Sequence, residues 1–416
     1  MRPPLNGFAV FCLVLCSPPA GAAHAASLVT IYNFDDLALK HPPGGGPLGR
    51  IVVTADGTVF GTTPANLQPD AGTVYELSPP AAGGTAWTHQ VLWFFDATGL
   101  GADPQGGLTR GGNGVLYGTT AYDTQNAVGC GHVFSVQSVD GKAQVSSIDT
   151  LGAAACIPYD PVAVGADGSL YATTSSSSGH FGAIFRLVPP VPGSAAWTEQ
   201  VLYDFQGLED GYYPSTPVLV SRSGAIYGTS IGSANAPPTM EPVYQLTPPA
   251  AGQTSWTFEL IWRFPTLQCA EVTGAMIEDA AGSLIFTCQQ GENGGPNQYG
   301  SVFRLNPPAR TGTAWTLDTL WNFSNGTDGA YPNTGLVADA RGDLYGTTLQ
   351  GDGTVFELNP PAAGQSSWTE RTLWTFTGGD GVQPRTPLVF GPRGTLFGTT
   401  SFGGDYDTGT VFELTP

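Results

Sequence analysis

Positive charge is scarce in this chain, which has 14 Lys and Arg against 33 Asp and Glu and a net charge of -19. Nucleic acids and anionic membranes bind to basic surfaces, so this balance argues against both as partners. Helical hydrophobic periodicity is also missing after the first 25 residues. We therefore expect strands to bury the 41% of residues that are hydrophobic.

Histidine is scarcer still, and His41, His89, His132 and His180 show no repeated position and no obvious partner. The chain has no G-x-S-x-G or H-E-x-x-H motif for hydrolytic catalysis. It also has no C-x-x-C pair, which disfavours a zinc site, and we expect no cofactor. A glycosidase or lyase needs only a carboxylate pair or a Tyr, Arg and His set, so an enzyme remains the alternative to a binding protein.

The first 25 residues have the features of a secretory signal peptide. A basic start is followed by the apolar run from Phe8 to Cys16, and Ala23-His-Ala25 matches an A-x-A cleavage site. The run is too short to span a membrane. Cys16 is not preceded by the residues of a good lipid-attachment site, so a lipid anchor is a weak alternative. We expect a secreted, extracellular or periplasmic protein with one domain at 26–416.

A phrase close to G-x-L-Y-G-T-T occurs seven times, which predicts an array of similar structural units. The copies begin at Gly57, Gly114, Gly168, Gly224, Gly282, Gly342 and Gly394. Each is followed by a G-x-V-F-x-L-x-P-P phrase and, in most units, by W-T-x-x-x-L-W-x-F. A further apolar run, such as 386–390, precedes each copy. Short segments rich in β-branched and aromatic residues, separated by turns, indicate four antiparallel strands per unit, which we name a, b, c and d.

Units of about 56 residues predict an all-β, seven-bladed β-propeller of four-stranded antiparallel blades. The last unit lacks a d strand, whereas the segment from Leu28 to Phe34 is an unpaired strand that resembles the end of the d phrase. We expect this N-terminal strand to join the last blade and close the ring, so that no long sheet edge is left open.

The combination of L-Y-G-T-T, G-T-V-F-E-L-x-P-P and W-T-x-x-x-L-W-x-F, with D-G-x-x-P between units, resembles the Gloeo/Verruco (GloVer) tandem repeat of bacterial extracellular proteins. The L-x-x-D-x-x-G-x-L-Y core is also similar to NHL-type propeller blades. The resemblance covers nearly all of 26–416. It implies an extracellular propeller without an assigned activity and supplies no catalytic residues.

Four cysteines remain after the signal peptide, an even number that suits an oxidising compartment. In an up-and-down blade the b–c loops and the d–a links lie on one face, and all four cysteines fall in or beside them. Sequential pairing, Cys130 with Cys156 and Cys269 with Cys288, is therefore favoured.

Carboxylates recur in the links between units and make these links the candidate binding face. Asp210, Asp328 and Asp380 each begin a D-G-x-x-P phrase, Asp103-Pro104 is a remnant of a fourth, and Asp405 and Asp407 lie in the last b–c loop. Turn formation explains Asp, Gly and Pro at such positions. The functional alternative is a ring of oxygen ligands for Ca²⁺.

We expect a monomeric binding module for an extracellular glycan or protein, with contacts on the face of the d–a links and b–c loops. The alternative is a carbohydrate-active or lactone-cleaving enzyme on the same scaffold. An enzyme is expected to have one asymmetric pocket at the central channel, and a binding module repeated or shallow loops.

Overall fold

The computed structural model describes residues 25–34, 46–64, 71–96, 99–123, 129–139, 142–152, 156–175, 181–191, 193–194, 196–207, 210–232, 241–264, 268–291, 295–310 and 313–416. The signal-peptide segment, His41 and His180 lie outside these residues, apart from Ala25. Among the described residues, no helix is long and apolar enough to cross a membrane.

Each repeat forms one antiparallel sheet in which strands a to d pair in chain order. Blade 1 contains β2 (Val52–Val53), β3 (Val59–Thr63), β4 (Thr73–Ser78) and β5 (Thr88–Phe94). Blade 2 contains β6 (Leu108–Arg110), β7 (Leu116–Tyr122), β8 (Cys130–Val139) and β9 (Lys142–Thr150). Blade 3 contains β10 (Ala163–Val164), β11 (Leu170–Thr174), β12 (Ala183–Val188) and β13 (Thr198–Asp204).

The next three blades follow the same plan, and blade 4 has one short additional strand from its link. Blade 4 contains β14 (Tyr212–Pro214), β15 (Leu219–Val220), β16 (Ile226–Ile231), β17 (Pro242–Thr247) and β18 (Thr257–Arg263). Blade 5 contains β19 (Val272–Glu278), β20 (Leu284–Cys288), β21 (Ser301–Asn306) and β22 (Thr316–Asn322). Blade 6 contains β23 (Val337–Ala338), β24 (Leu344–Thr348), β25 (Thr354–Asn359) and β26 (Thr369–Thr375).

Blade 7 contains residues from both ends of the chain, which confirms the predicted closure. Its strands are β27 (Val389–Phe390), β28 (Leu396–Thr400), β29 (Thr410–Thr415) and β1 (Ser27–Asn33), with a 3-10 turn at Pro392–Gly394 between β27 and β28. β1 pairs antiparallel with β29, and the Phe34 N–H donates to the Gly409 carbonyl at 3.1 Å. The fold is the expected seven-bladed propeller.

The core is divided into seven clusters, one at each junction between neighbouring blades. At six junctions an aromatic ring at the end of strand d packs on an aromatic ring of strand c in the next blade. In the pairs Phe95 with Phe134 and Phe376 with Phe412 the ring centroids are 5.2 Å apart. The pair Phe34 with Tyr75 is the one that spans the closure of the ring. Both faces of every sheet are therefore buried against neighbours, and the recurrent aromatics serve packing.

Two disulfides join the pairs expected from strand topology. Cys130, at the start of β8, is bonded to Cys156 in the link to blade 3, with a Cα separation of 4.8 Å. Cys269 is bonded to Cys288, at the end of β20, with a Cα separation of 5.7 Å. Each bridge ties a d–a link to a strand end on the same face, which we call the upper face.

Candidate functional site

The carboxylates of the D-G-x-x-P links accept hydrogen bonds from their own links and from the end of the preceding strand d. Asp328 accepts the Ser324 N–H with one oxygen (2.8 Å) and the Gly326 N–H with the other (3.2 Å). Asp380 accepts the Thr377 N–H and the Trp374 indole N–H, both at 2.8 Å. Asp210 accepts the Gln206 N–H at 2.8 Å and the Tyr203 hydroxyl at 3.0 Å. These are the contacts of turn-forming residues.

Asp405 and Asp407 have different local roles in the last b–c loop. Asp405 and Asn33 exchange two hydrogen bonds, of 3.0 and 3.3 Å, which tie the loop to β1. Asp407 accepts the Gly403 N–H at 3.0 Å. Within the described part of the chain, no three His, Cys, Asp or Glu side chains come together in a metal-binding arrangement. A role in ligand binding for the five aspartates stays a prediction.

The links are better described as latches between blades. In four of them the residue before Pro has a positive φ and donates its N–H to the preceding blade; Gln383, for example, donates to the Asp352 carbonyl at 2.9 Å. The following Pro384 packs on Gly353, where an added Cβ would lie 2.4 Å from the Pro ring. Asp380 and its equivalents hold the turn that makes this contact.

The remnant Asp103-Pro104 lies in a fourth link, but its aspartate does not align with the aspartates of the other three links. Asp103 directly precedes Pro104 and has a φ of 63°, so it occupies the position of Gln383 rather than that of Asp380. Leu100 occupies the aspartate position and is buried. A two-residue match was too short to distinguish the start of the phrase from its end.

The central channel forms a cavity of about 750 Å³ lined by all seven blades. This volume is in the range of small-molecule sites. The links lead into strand a, so the residue after each link Pro lies at the upper end of the channel. Six blades contribute one such lining residue each; these are Leu48, Gln105, Tyr159, Ser215, Asn333 and Arg385. The backbone frame repeats while the side chains differ, which makes the channel asymmetric.

Three arginines line this cavity, from the adjacent blades 7, 1 and 2. Arg385 donates through Nε and Nη2 to the side-chain oxygen of Gln383, at 3.2 and 2.8 Å. Arg50 is exposed and lines the channel, and desolvation by the surrounding protein lowers the pKa of its guanidinium. Arg110 lies lowest, where it also borders a second cavity that contains Glu76.

Asp160 is the acidic residue among the described lining residues. Its Oδ2 accepts the Thr173 hydroxyl at 2.9 Å. In blade 7 a threonine, Thr386, takes the place of Asp160, and its hydroxyl lies 2.8 Å from that of Thr399, the equivalent of Thr173. Desolvation raises the pKa of Asp160 to about 6, because one hydroxyl compensates little of the lost hydration. No arginine of the channel lies within ion-pair distance of it in the described structure.

His132 has partners that the sequence did not reveal. Its Nε2 lies 2.9 Å from Asp123 Oδ2, and its Nδ1 lies 3.3 Å from the hydroxyls of Ser147 and Thr150. Both His132 and Asp123 are buried. The three partners come from strand d and from the end of strand b, so only blade topology brings them together. The cluster links strands of one sheet and does not line the channel.

The family model for the Gloeobacter/Verrucomicrobia repeat matches residues 23–237 and 242–416. Among curated proteins, no sequence matches this chain. The fold is similar to the periplasmic gluconolactonase PpgL of Pseudomonas aeruginosa, with 15% identity, a TM-score of 0.52, and 84% of this chain and 96% of that chain covered.

It is also similar to PorZ, a surface component of the type-IX secretion system of Porphyromonas gingivalis. Here the identity is 15% and the TM-score 0.53, with 91% of this chain and 47% of that chain covered. Identities this low establish a shared fold alone.

Proposed function

The chain belongs to the Gloeobacter/Verrucomicrobia repeat family, and we propose that it is a secreted binding propeller that takes an extracellular glycan into its central channel. The observation that carries the proposal is the 750 Å³ cavity lined by all seven blades, with a different side chain from each of six links at its upper end. A repeated scaffold with varied lining residues is suited to recognition of one asymmetric ligand.

Secretion is supported by the signal-peptide pattern at 1–25 and by the two disulfides, which suit an oxidising compartment. The remaining segment, 26–416, is proposed as a single domain. The aspartates of the links contribute indirectly in this proposal, because they hold the turns that present the lining residues.

The proposal is tested with the 26–416 protein on a glycan array, followed by titration calorimetry of the hits. Asn333→Trp places a large ring in the channel, and Ala280→Trp, on an exposed turn outside it, is the matched control. We expect the first variant to lose binding and the second to keep it. Binding unaffected by Asn333→Trp, or an array without hits, would exclude a glycan site in the channel.

A second candidate function is supported by Asp160. A carboxyl group with a pKa of about 6 can act as a general acid or base near neutral pH. Most glycosidases need two carboxyl groups, and Asp160 is the one acid among the described lining residues. Lactone hydrolysis is therefore the better enzymatic alternative, and a solved propeller of similar fold is titled a gluconolactonase.

A screen of aldonolactones and glycosides separates the two functions. Turnover that is abolished in Asp160→Asn, with lactone binding retained, would establish the enzyme. Glycan binding without turnover of any substrate in the screen would support the binding module and contradict the enzyme.

A further inference from the structure

We propose that the ligand of the channel is an acidic sugar whose carboxylate is bound by Arg385 and Arg50. The inference rests on the proposed function and adds the chemical class of the ligand.

The charge of the channel is opposite to that of the rest of the protein. Carboxylates outnumber basic residues by 33 to 14 in the chain, yet the described lining residues include three arginines and one acid. Arginines elsewhere in the described structure form ion pairs, among them Arg186, Arg222, Arg304, Arg341 and Arg371. No ion pair holds the channel arginines in the described structure, so their charge is available to a ligand.

Arg385 is held in place by a neutral group. Its Nε and Nη2 both donate to the amide oxygen of Gln383, which belongs to the link of the same blade. This partner orients the planar guanidinium without neutralising it. The remaining N–H groups can donate to a carboxylate with charge-assisted hydrogen bonds, the strongest that a side chain of this kind forms.

Arg50 lies below Arg385 on the neighbouring blade. Arg50 is seven residues before Gly57, and Arg385 is nine before Gly394, the equivalent glycine of its own blade. A difference of two residues along strand a corresponds to roughly 7 Å of depth. A partly desolvated guanidinium without a counter-charge is costly, and a bound anion would offset that cost.

The other side chains at the upper end favour a sugar over a simple anion. Gln105, Tyr159, Ser215 and Asn333 surround the same opening as Arg385. Amides and hydroxyls match the hydroxyl groups of a pyranose ring. Gln105 donates to Asp103 at 2.6 Å and keeps its amide oxygen, and the Ser215 hydroxyl, 2.9 Å from that of Thr229, can accept a further bond. The Tyr159 hydroxyl bonds to that of Tyr122, and its ring, which is 37% exposed, offers an aromatic face. One carboxylate position beside several neutral polar positions is the pattern expected for a uronic acid.

The test compares short oligomers of galacturonate, glucuronate and mannuronate with the same oligomers after carboxyl reduction, which removes the charge and keeps the hydroxyls. Binding to the 26–416 protein is measured by titration calorimetry. We expect at least one acid oligomer to bind, and Arg385→Gln and Arg50→Gln each to weaken it by about tenfold or more. Arg393→Gln, at an exposed turn of blade 7 outside the cavity, is the control and should bind normally.

Each other outcome overturns a defined part of the reasoning. Reduced oligomers that bind as well as the acids would overturn the carboxylate inference and leave the glycan proposal intact. Binding of inorganic phosphate, sulfated sugars or oligoglutamate in place of the uronates would overturn the choice of ligand class. A channel that binds neither acid nor reduced oligomers, and none of the glycans on the array, would refute the proposed function itself.

Discussion

Replacement of Asp160 by Asn should stabilise the protein above about pH 6 and change its stability little near pH 4. Asn keeps an oxygen that can accept the Thr173 hydroxyl, but it cannot ionise. The groups near Asp160 are Thr173, the adjacent Tyr159 and the buried Tyr244, and the channel arginines line the same cavity. None of the arginines forms an ion pair with it in the described structure.

The size of the expected stability difference follows from the raised pKa of Asp160. Burial moves the pKa of Asp160 from 3.8 to about 6, and one unit corresponds to about 1.4 kcal/mol, so ionisation in the folded state costs roughly 2 to 3 kcal/mol. The folded pKa lies above the unfolded one, so the favourable contribution of the neutral acid is complete below pH 3.8 and is lost as the pH rises through 6. The Asp160→Asn variant would avoid that loss.

The assay is a set of thermal melts of the wild type and Asp160→Asn between pH 4 and pH 8. We expect the difference in Tm to be small at pH 4 and to grow in favour of the variant through pH 6. A difference that is constant with pH would show that the pKa of Asp160 is not raised on folding. A difference that favours the wild type at pH 8 would show that Asp160 is stabilised as a carboxylate, with an arginine as its partner, contrary to the geometry on which the ligand inference depends.

Three further predictions concern the links. Replacing Cys130 and Cys156 by Ala should lower the free energy of unfolding by about 3 kcal/mol, measured against the wild type under oxidising conditions; equal stability would contradict a bridge that constrains the unfolded chain. Gly353→Ala should destabilise by more than about 1 kcal/mol, because its φ is +100° and its Cβ would meet Pro384; Gly342→Ala has a positive φ but open space, and an equal cost there would refute the latch. Asp328→Asn should cost about 1 to 3 kcal/mol, because both carboxylate oxygens accept backbone N–H groups and an amide nitrogen cannot; unchanged stability would mean that the link does not depend on them.

The sequence alone was sufficient for the architecture. Seven copies of one phrase predicted seven blades, and the unmatched strand at Leu28 to Phe34 predicted the closure by β1 and β29. The disulfide pairing also followed, because strand order alone decides which loops share the upper face. These features are periodic or topological, so they depend on spacing along the chain and not on the details of packing.

The residues of the candidate site could be identified only from the tertiary structure. Sequence reasoning chose Asp328 and Asp380 because they recur, but recurrence marks what every blade needs, and these carboxylates hold the latch turns. The ligand site that we propose lies instead where the copies differ, as at Tyr159, Asp160 and Arg385. Arg385 is far along the chain from Tyr159 and Asp160, and the three residues line one cavity only because ring closure brings the first strand of every blade to one axis. Burial there raises the pKa of Asp160, and the channel arginines form no ion pair with a carboxylate in the described structure.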